Sequence, residues 1–322
     1  MTPPALSRRA LLAGAAATAA TGLATPLRAQ PAGQPGPKVF LDYDQAALDR
    51  AYDQRHWAPN IESVIKRYAL NSEAVRARIG APRTLAYGST PVETLDLYPT
   101  ARPNAPVMVF LHGGAWRTGR ARDYAFPAEL FVRAGAHYVA PDFATVMEVG
   151  LDGMAAQVRR AVAWVYRNAA SFGGDPQRIH VAGHSSGGHL AGVVLVTDWA
   201  KDFGLPADVV KGGLCVSGMY DLKGPRLSAR SSYAKFDDRI EHDLSSQRHL
   251  GRLACPVTVA YGDLESPEFQ RQSREFAEAL TRIRKLDRLI LGQAYNHFEL
   301  IETLGHPYGL LGRAVLEQMK LV

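Results

Sequence analysis

Ile179-His180-Val181-Ala182-Gly183-His184-Ser185-Ser186-Gly187-Gly188-His189-Leu190 is the stretch that decides the fold of this 322-residue chain. A β-favouring run enters Gly-x-Ser-x-Gly and leaves it in residues that suit a helix. A turn of this shape forces Ser185 into strained backbone angles, which only neighbouring glycines make sterically possible, and lifts its hydroxyl above the sheet edge. The motif alone arises by chance in many proteins. The strand before it, the helix after it and the extra Gly188 give it meaning, and they mark Ser185 as the candidate nucleophile.

Outward from that turn, short β-rich runs alternate with helical ones. Strands are predicted at Thr84 to Tyr87, Glu93 to Tyr98, Val107 to Leu111, His137 to Ala140, Ile179 to Ala182, Leu214 to Ser217, Val257 to Tyr261 and Leu286 to Leu291. Helices are predicted at Met154 to Ala170, His189 to Trp199, Pro267 to Ile283 and Gly309 to Met319. This alternation reads as an α/β fold: a mostly parallel eight-stranded sheet with helices on both faces. Ahead of it, residues 39–80 form an N-terminal helical extension. Its first helix runs around Asp44 to Trp57 and its second follows Pro59, with Ile61, Val64, Ile65 and Tyr68 on one stripe. Residues 81–322 form the catalytic domain. Met219 to Leu250, rich in serine and aspartate, reads as no regular element and is expected to be a lid or pocket wall, or a mobile insertion.

Val107-Met108-Val109-Phe110-Leu111 ends in His112-Gly113-Gly114-Ala115-Trp116. Acyl transfer passes through a tetrahedral oxyanion that backbone N–H groups must meet, and glycines let a backbone approach a substrate carbonyl closely. Gly113, Gly114 and Ala115 are the candidate donors, with the Ser186 amide completing the hole. His112 is expected to hold this loop by hydrogen bonds. Trp116 and His184 are placed at the substrate pocket, with packing the alternative for Trp116 and turn stabilisation the alternative for His184.

A serine hydroxyl at neutral pH needs a base, and the base needs an acid to fix its tautomer. His297 sits in a loop after the last strand and before a helix and is the candidate base. The acid lies after the seventh strand, in Gly262-Asp263-Leu264-Glu265-Ser266-Pro267. Glu265, three residues beyond Gly262, is the first choice, Asp263 the runner-up, and Asp221 after the sixth strand the third. No His-Glu-x-x-His or comparable spacing occurs, so neither a metal nor another cofactor is expected.

These motifs, in the order Ser, acid, His, resemble the α/β-hydrolase superfamily over residues 84–322. Within it the chain is similar to the kynurenine formamidase (arylformamidase) and related carboxylesterase group. The resemblance rests on His112 to Trp116, Gly183 to Leu190, Ser266-Pro267-Glu268-Phe269 with Arg271-Gln272-Ser273, and Asn296-His297-Phe298. The chain departs from the formamidases at Glu265, where they usually carry Asp, and at Ala115, where they often carry a bulky aromatic. The resemblance implies an α/β-hydrolase fold and acyl-transfer chemistry on a small molecule. The expected activity is hydrolysis of small carboxylic esters through an acyl-enzyme, with N-formylkynurenine-type amide hydrolysis as the alternative. A catalytically silent binding protein of the same fold is the remaining reading, disfavoured because no triad member is missing.

Composition narrows the rest. With 47% apolar and 21% charged residues, 29 Gly and 20 Pro, the chain is an ordinary globular protein rather than a disordered, collagenous or coiled-coil one. Its net charge is +6, and residues 1–29 hold Arg8, Arg9 and Arg28 with no acid, leaving +3 for the remainder. That is too little to argue for nucleic acid. Ser7-Arg8-Arg9, an Ala/Thr/Gly-rich middle and Leu27-Arg28-Ala29 make residues 1–29 an expected export signal resembling the twin-arginine type, followed by a linker at 30–38. Its middle is too weakly apolar for a stable membrane span. A periplasmic or secreted mature chain is therefore expected. Its two cysteines, Cys215 and Cys255, would stand about four residues apart in height on parallel strands, roughly 13 Å, so both are expected free and buried.

Overall fold

Val107-Met108-Val109-Phe110-Leu111 is apolar on both sides of its pleat, so it is stable only where both faces are covered. In the computed structural model, which describes residues 36–322, it lies at the centre of the sheet and every residue of it is buried. The expected export signal and most of the linker lie outside the described residues.

Eight strands form one sheet: β1 Arg83–Ala86, β2 Thr94–Tyr98, β3 Ala105–Leu111, β4 His137–Pro141, β5 Gly174–His184, β6 Val210–Val216, β7 Val257–Gly262 and β8 Leu286–Gly292. Their order is β1-β2-β4-β3-β5-β6-β7-β8. The pairs of β2 with β1 and with β4 are antiparallel; the others are parallel. All eight stand where the alternating runs predicted them. From β3 the chain goes first to one side, to β4, and then to the other, to β5. The carboxyl ends of β3 and β5 therefore flank the point where strand order reverses, where open α/β sheets leave a crevice.

Helices are α1 Gln45–Ala51, α2 Ile61–Ile79, α3 Ala128–Ala134, α4 Val146–Asn168, α5 Ser186–Leu195, α6 Trp199–Phe203, α7 Lys223–Leu227, α8 Ser231–Ala234, α9 Asp238–Asp243, α10 Pro267–Arg282 and α11 Leu310–Gln318. Side chains alternate across β3: Val107, Val109 and Leu111 join α4, α5 and α10 in one core, while Met108 and Phe110 join α2, α3 and α11 in the other. The extension divides likewise, Leu48 of α1 and Tyr52 just after it joining the first core and Val64, Tyr68 and Val75 of α2 joining the second.

Two expectations need correction. Met219 to Leu250 contains regular structure, in α7, α8 and α9. Helices of four to six residues span too little of a 3.6-residue period to show a stripe, and α9 begins because the Asp237 carboxylate accepts the Ile240 N–H at 2.6 Å. The helix expected around Asp44 to Trp57 stops at Ala51, and a separate 3₁₀ turn covers Gln54–His56 because the Asp53 side chain accepts the Arg55 N–H. Both cysteines are free and buried. Cys215 pairs in register with Val259, four positions beyond Cys255.

Candidate active site

Leu111 pairs with Gly183 across β3 and β5, which brings the residues just after each strand together. On the β5 side, Ser185 has φ 59° and ψ −124°, a positive φ that costs a β-substituted residue energy and aims its side chain off the sheet edge. The elbow is held by the Ser185 N–H donating to Val216 O at 2.9 Å. Close packing explains the glycine that follows: a Cβ on Gly187 would stand 2.0 Å from Leu111 O.

On the β3 side, Gly114, Ala115 and Trp116 all have positive φ, at 125°, 54° and 61°. This curled loop is closed by the Arg117 and Thr118 N–H groups, which both donate to Gly114 O. The N–H groups of Gly113, Gly114 and Ala115 have no acceptor among the described residues. Ser186 opens α5, so its amide is one of the first-turn donors that no intrahelical carbonyl reaches. The loop that carries the first three donors runs beside Ser185, with Gly114 and Ala115 lining the same cavity and a Cβ on Gly113 standing 3.2 Å from Ser185 Cβ, while the Ser186 amide lies at the positive end of the α5 dipole. His112 Nδ1–H donates to Gly113 O at 2.9 Å, and its ring stacks on Phe143 at 4.3 Å.

His297 Nε2 lies 2.8 Å from Ser185 Oγ, and His297 Nδ1 lies 2.8 Å from Glu265 Oε2. A carboxylate at Nδ1 holds the ring proton there and leaves the Nε2 lone pair facing the serine. Ser185, His297 and Glu265 are 8%, 1% and 1% exposed, so this chain of hydrogen bonds runs out of bulk water. The other Glu265 oxygen accepts the Ser217 hydroxyl and the Gly262 N–H, each at 2.6 Å. Asp263 points away, exposed, and its carboxylate accepts the Ala294 N–H. Asp221 pairs with Arg248 at 3.0 Å.

His184 lines the cavity over Ser185, and its Nε2–H donates to His297 O at 2.7 Å. Burial, then the charge that His297 would carry, holds its pKa well below the ordinary histidine value. It stays neutral beside the triad-like set. Trp116 is the correction among the site residues. It is 2% exposed, is not among the residues lining the cavity, and its Nε1–H donates to His189 Nδ1 at 3.2 Å. The indole is buried edge-on against His189, whose Nε2–H donates to Leu244 O, and lies 6.0 Å from the Phe236 ring, so it packs against the 219–250 segment.

The cavity encloses about 770 Å³, within the range of small-molecule sites. Beyond the floor of Ser185, His184 and His297, its walls come from Tyr52, Ile61 and Tyr68 of the N-terminal extension and from Ser228, Arg230 and Tyr233 of the 219–250 segment. The motif reading missed the support behind it. Ser217, one residue beyond β6, gave no signal except its position at a strand end. The extension braces both loops: Gln54 Nε2–H donates to Ser266 Oγ at 2.9 Å, Tyr68 Oη–H donates to Phe298 O, and Asn296 Nδ2–H donates to Asn60 Oδ1 at 2.8 Å. Contacts over two hundred residues of chain leave no trace in local pattern. Away from the cavity, His242, Asp243 and His249 bring ligand atoms within 4.8 Å of one another at the surface, although His249 Nε2 is already engaged with His242 O. No helix among the described residues is long and apolar enough to cross a membrane.

The BD-FAE family matches residues 95–212. Kynurenine formamidase of Danio rerio is 31% identical over 286 residues, covering 84% of this chain and 95% of that protein. Esterase LipC of Mycobacterium tuberculosis is 30% identical, covering 72% of this chain and 61% of its own. Among solved structures, a candidate thioesterase from a Silicibacter species superposes with a TM-score of 0.74 at 24% identity, over 83% of this chain and 98% of that one. The Thermogutta terrifontis esterase Est2 superposes with a TM-score of 0.60 at 21% identity, over 75% and 91%. The chain therefore belongs to the kynurenine formamidase and carboxylesterase group of the α/β-hydrolase superfamily, a group of hydrolases.

Proposed function

We propose that this hydrolase cleaves small carboxylic esters through an acyl-enzyme on Ser185. Ser185 Oγ attacks the acyl carbon as its proton passes to His297 Nε2, and Glu265 orients the imidazole and stabilises the imidazolium. The amides of Gly113, Gly114, Ala115 and Ser186 receive the oxyanion. As the intermediate collapses, the imidazolium gives its proton to the departing alkoxide. Water then repeats the sequence to release the acid and free Ser185. The observation that carries this reading is the Glu265–His297–Ser185 chain, with both histidine links at 2.8 Å, opening on a cavity of about 770 Å³.

Arylformamidase activity is the second reading, favoured by the near full-length match to the Danio rerio protein. A formyl group needs almost no acyl pocket, whereas Ala115 and the walls from the 219–250 segment leave a roomy site. Each methylene accepted in an apolar pocket is worth only ~1–3 kcal/mol, so selectivity among short acyl chains should be shallow. Aryl acetate and butyrate are expected to give kcat/KM at or above that for N-formylkynurenine. A formamide rate about a hundredfold above every short ester would replace the first reading with the second. A fluorophosphonate should label Ser185, and Ser185→Ala should lower kcat by roughly four to six powers of ten. Arg8-Arg9 and the small-residue stretch after it support export as a further part of the proposal.

A further inference from the structure

A buried cation without a counter-ion needs an explanation, because taking an ammonium or guanidinium out of water is costly unless an anion accompanies it. Arg230 is such a cation. It lines the cavity over Ser185, is only 8% exposed, and has no carboxylate within 4.0 Å among the described residues. One Nη2–H donates to Tyr52 O at 2.7 Å and one Nη1–H donates to Tyr233 Oη at 3.2 Å. Its Nε is buried with no partner. Around it stand the rings of Trp116 at 5.4 Å and of Tyr52 and Phe269 at 5.9 Å, an aromatic setting that steadies the charge without neutralising it.

Neighbouring acids are already engaged. Glu268, behind Tyr52, takes a two-pronged pair from Arg271. Asp53 does the same with Arg55, and Asp49 accepts the Ala229 N–H. A brace to Tyr52 O alone could be made by any neutral donor and would not require a buried charge. Each terminal nitrogen of Arg230 still has a second N–H to give, and a guanidinium presents such donors at the spacing of the two oxygens of a carboxylate. Phe269 lies between the two groups' surroundings, its ring 5.9 Å from the Arg230 guanidinium and its centroid 4.8 Å from that of His297.

We propose that Arg230 is a carboxylate-recognition group, and that between otherwise matched esters or amides the one carrying a free carboxylate apart from the scissile bond is preferred. This deepens the serine-hydrolase reading and, for its kinetic test, rests on it. Two matched pairs test it: mono-(para-nitrophenyl) glutarate against its methyl ester, and para-carboxyphenyl butyrate against para-methoxycarbonylphenyl butyrate. Arg230→Gln keeps a donor for Tyr52 O and removes the charge. In at least one pair it should lower the acid-to-ester ratio of kcat/KM by about 10- to 100-fold relative to wild type, the range of a charge-assisted pair, and Arg230→Lys should recover part of the loss. A purely structural arginine would lower both members of each pair alike. Ratios that move less than about threefold in both pairs, against a charge-assisted range of tenfold or more, overturn the proposal. Fluorophosphonate labelling of Ser185 is read separately. If neither labelling nor ester hydrolysis occurs, the hydrolase reading fails, and calorimetric titration with monomethyl glutarate still decides the carboxylate site. Binding about tenfold weaker in Arg230→Gln supports it, and equal Kd overturns it.

Discussion

Replacing Glu265 by Gln changes one oxygen to an amide nitrogen and tests the proposed acid with almost no change of shape. In the native arrangement Oε1 accepts two donors, the Ser217 hydroxyl and the Gly262 N–H, and Oε2 faces His297 Nδ1. A glutamine has only one acceptor oxygen. Ser217 can rotate its hydroxyl, but the Gly262 N–H is fixed by the backbone, so the amide oxygen stays on that side and the NH₂ turns to His297. The imidazole must then present its Nδ1 lone pair to that NH₂ and carry its proton on Nε2, pointing at Ser185, where it cannot take the serine proton. The wrong tautomer should lower kcat by about 10⁴-fold, or roughly 5 kcal/mol of transition-state stabilisation. Asp263→Asn, at an exposed carboxylate that touches only the Ala294 N–H, should leave kcat within about threefold, a change of under 1 kcal/mol. Steady-state hydrolysis of para-nitrophenyl acetate by both variants, with thermal unfolding as the check on folding, decides it. A Glu265→Gln enzyme within tenfold of wild type, or a larger loss from Asp263→Asn, would refute the reasoning.

Burial holds the pKa of His180 and His189 down to about 4, and lowers His112 and His184 as well. The unfolded chain therefore takes up protons at higher pH than the native one, and stability present above about pH 6.5 is lost as pH falls toward 4. Each of the two histidines near 4 should remove about 1–2 kcal/mol between pH 6.5 and 5, so a calorimetric Tm that is flat over that interval would contradict their burial. Gly187→Ala should fail to give stable protein or lose more than about 3 kcal/mol in chemical denaturation, because its Cβ would meet the Leu111 carbonyl at 2.0 Å; a variant as stable as wild type would mean the elbow packs differently. Changing Arg8 and Arg9 together to Lys should strand the precursor in the cytoplasm, with the exported wild-type chain beginning near Gln30 by intact mass; unchanged periplasmic recovery would count against the twin-arginine route.

Much of this protein was legible in order along the chain. A parallel strand buried on both faces must be apolar throughout, so β3 announced itself, and a nucleophile elbow must be glycine-rich because neighbouring backbones come within contact of it, so Ser185 did too. His297 was found by where its loop falls, after the last strand. These are local constraints, written within ten residues of the atoms they govern. Tertiary structure alone decided which carboxylate meets the imidazole, since Asp263 and Glu265 are two residues apart and only the turn after β7 directs one inward and the other to solvent. It also decided that Trp116 packs against His189 and Phe236 and that the extension braces the His297 loop through Asn60 and Tyr68. The same holds for the buried Arg230 in the cavity wall. Each depends on groups far apart in sequence meeting at one place, and neither composition nor periodicity records where a side chain ends once the sheet has closed around it.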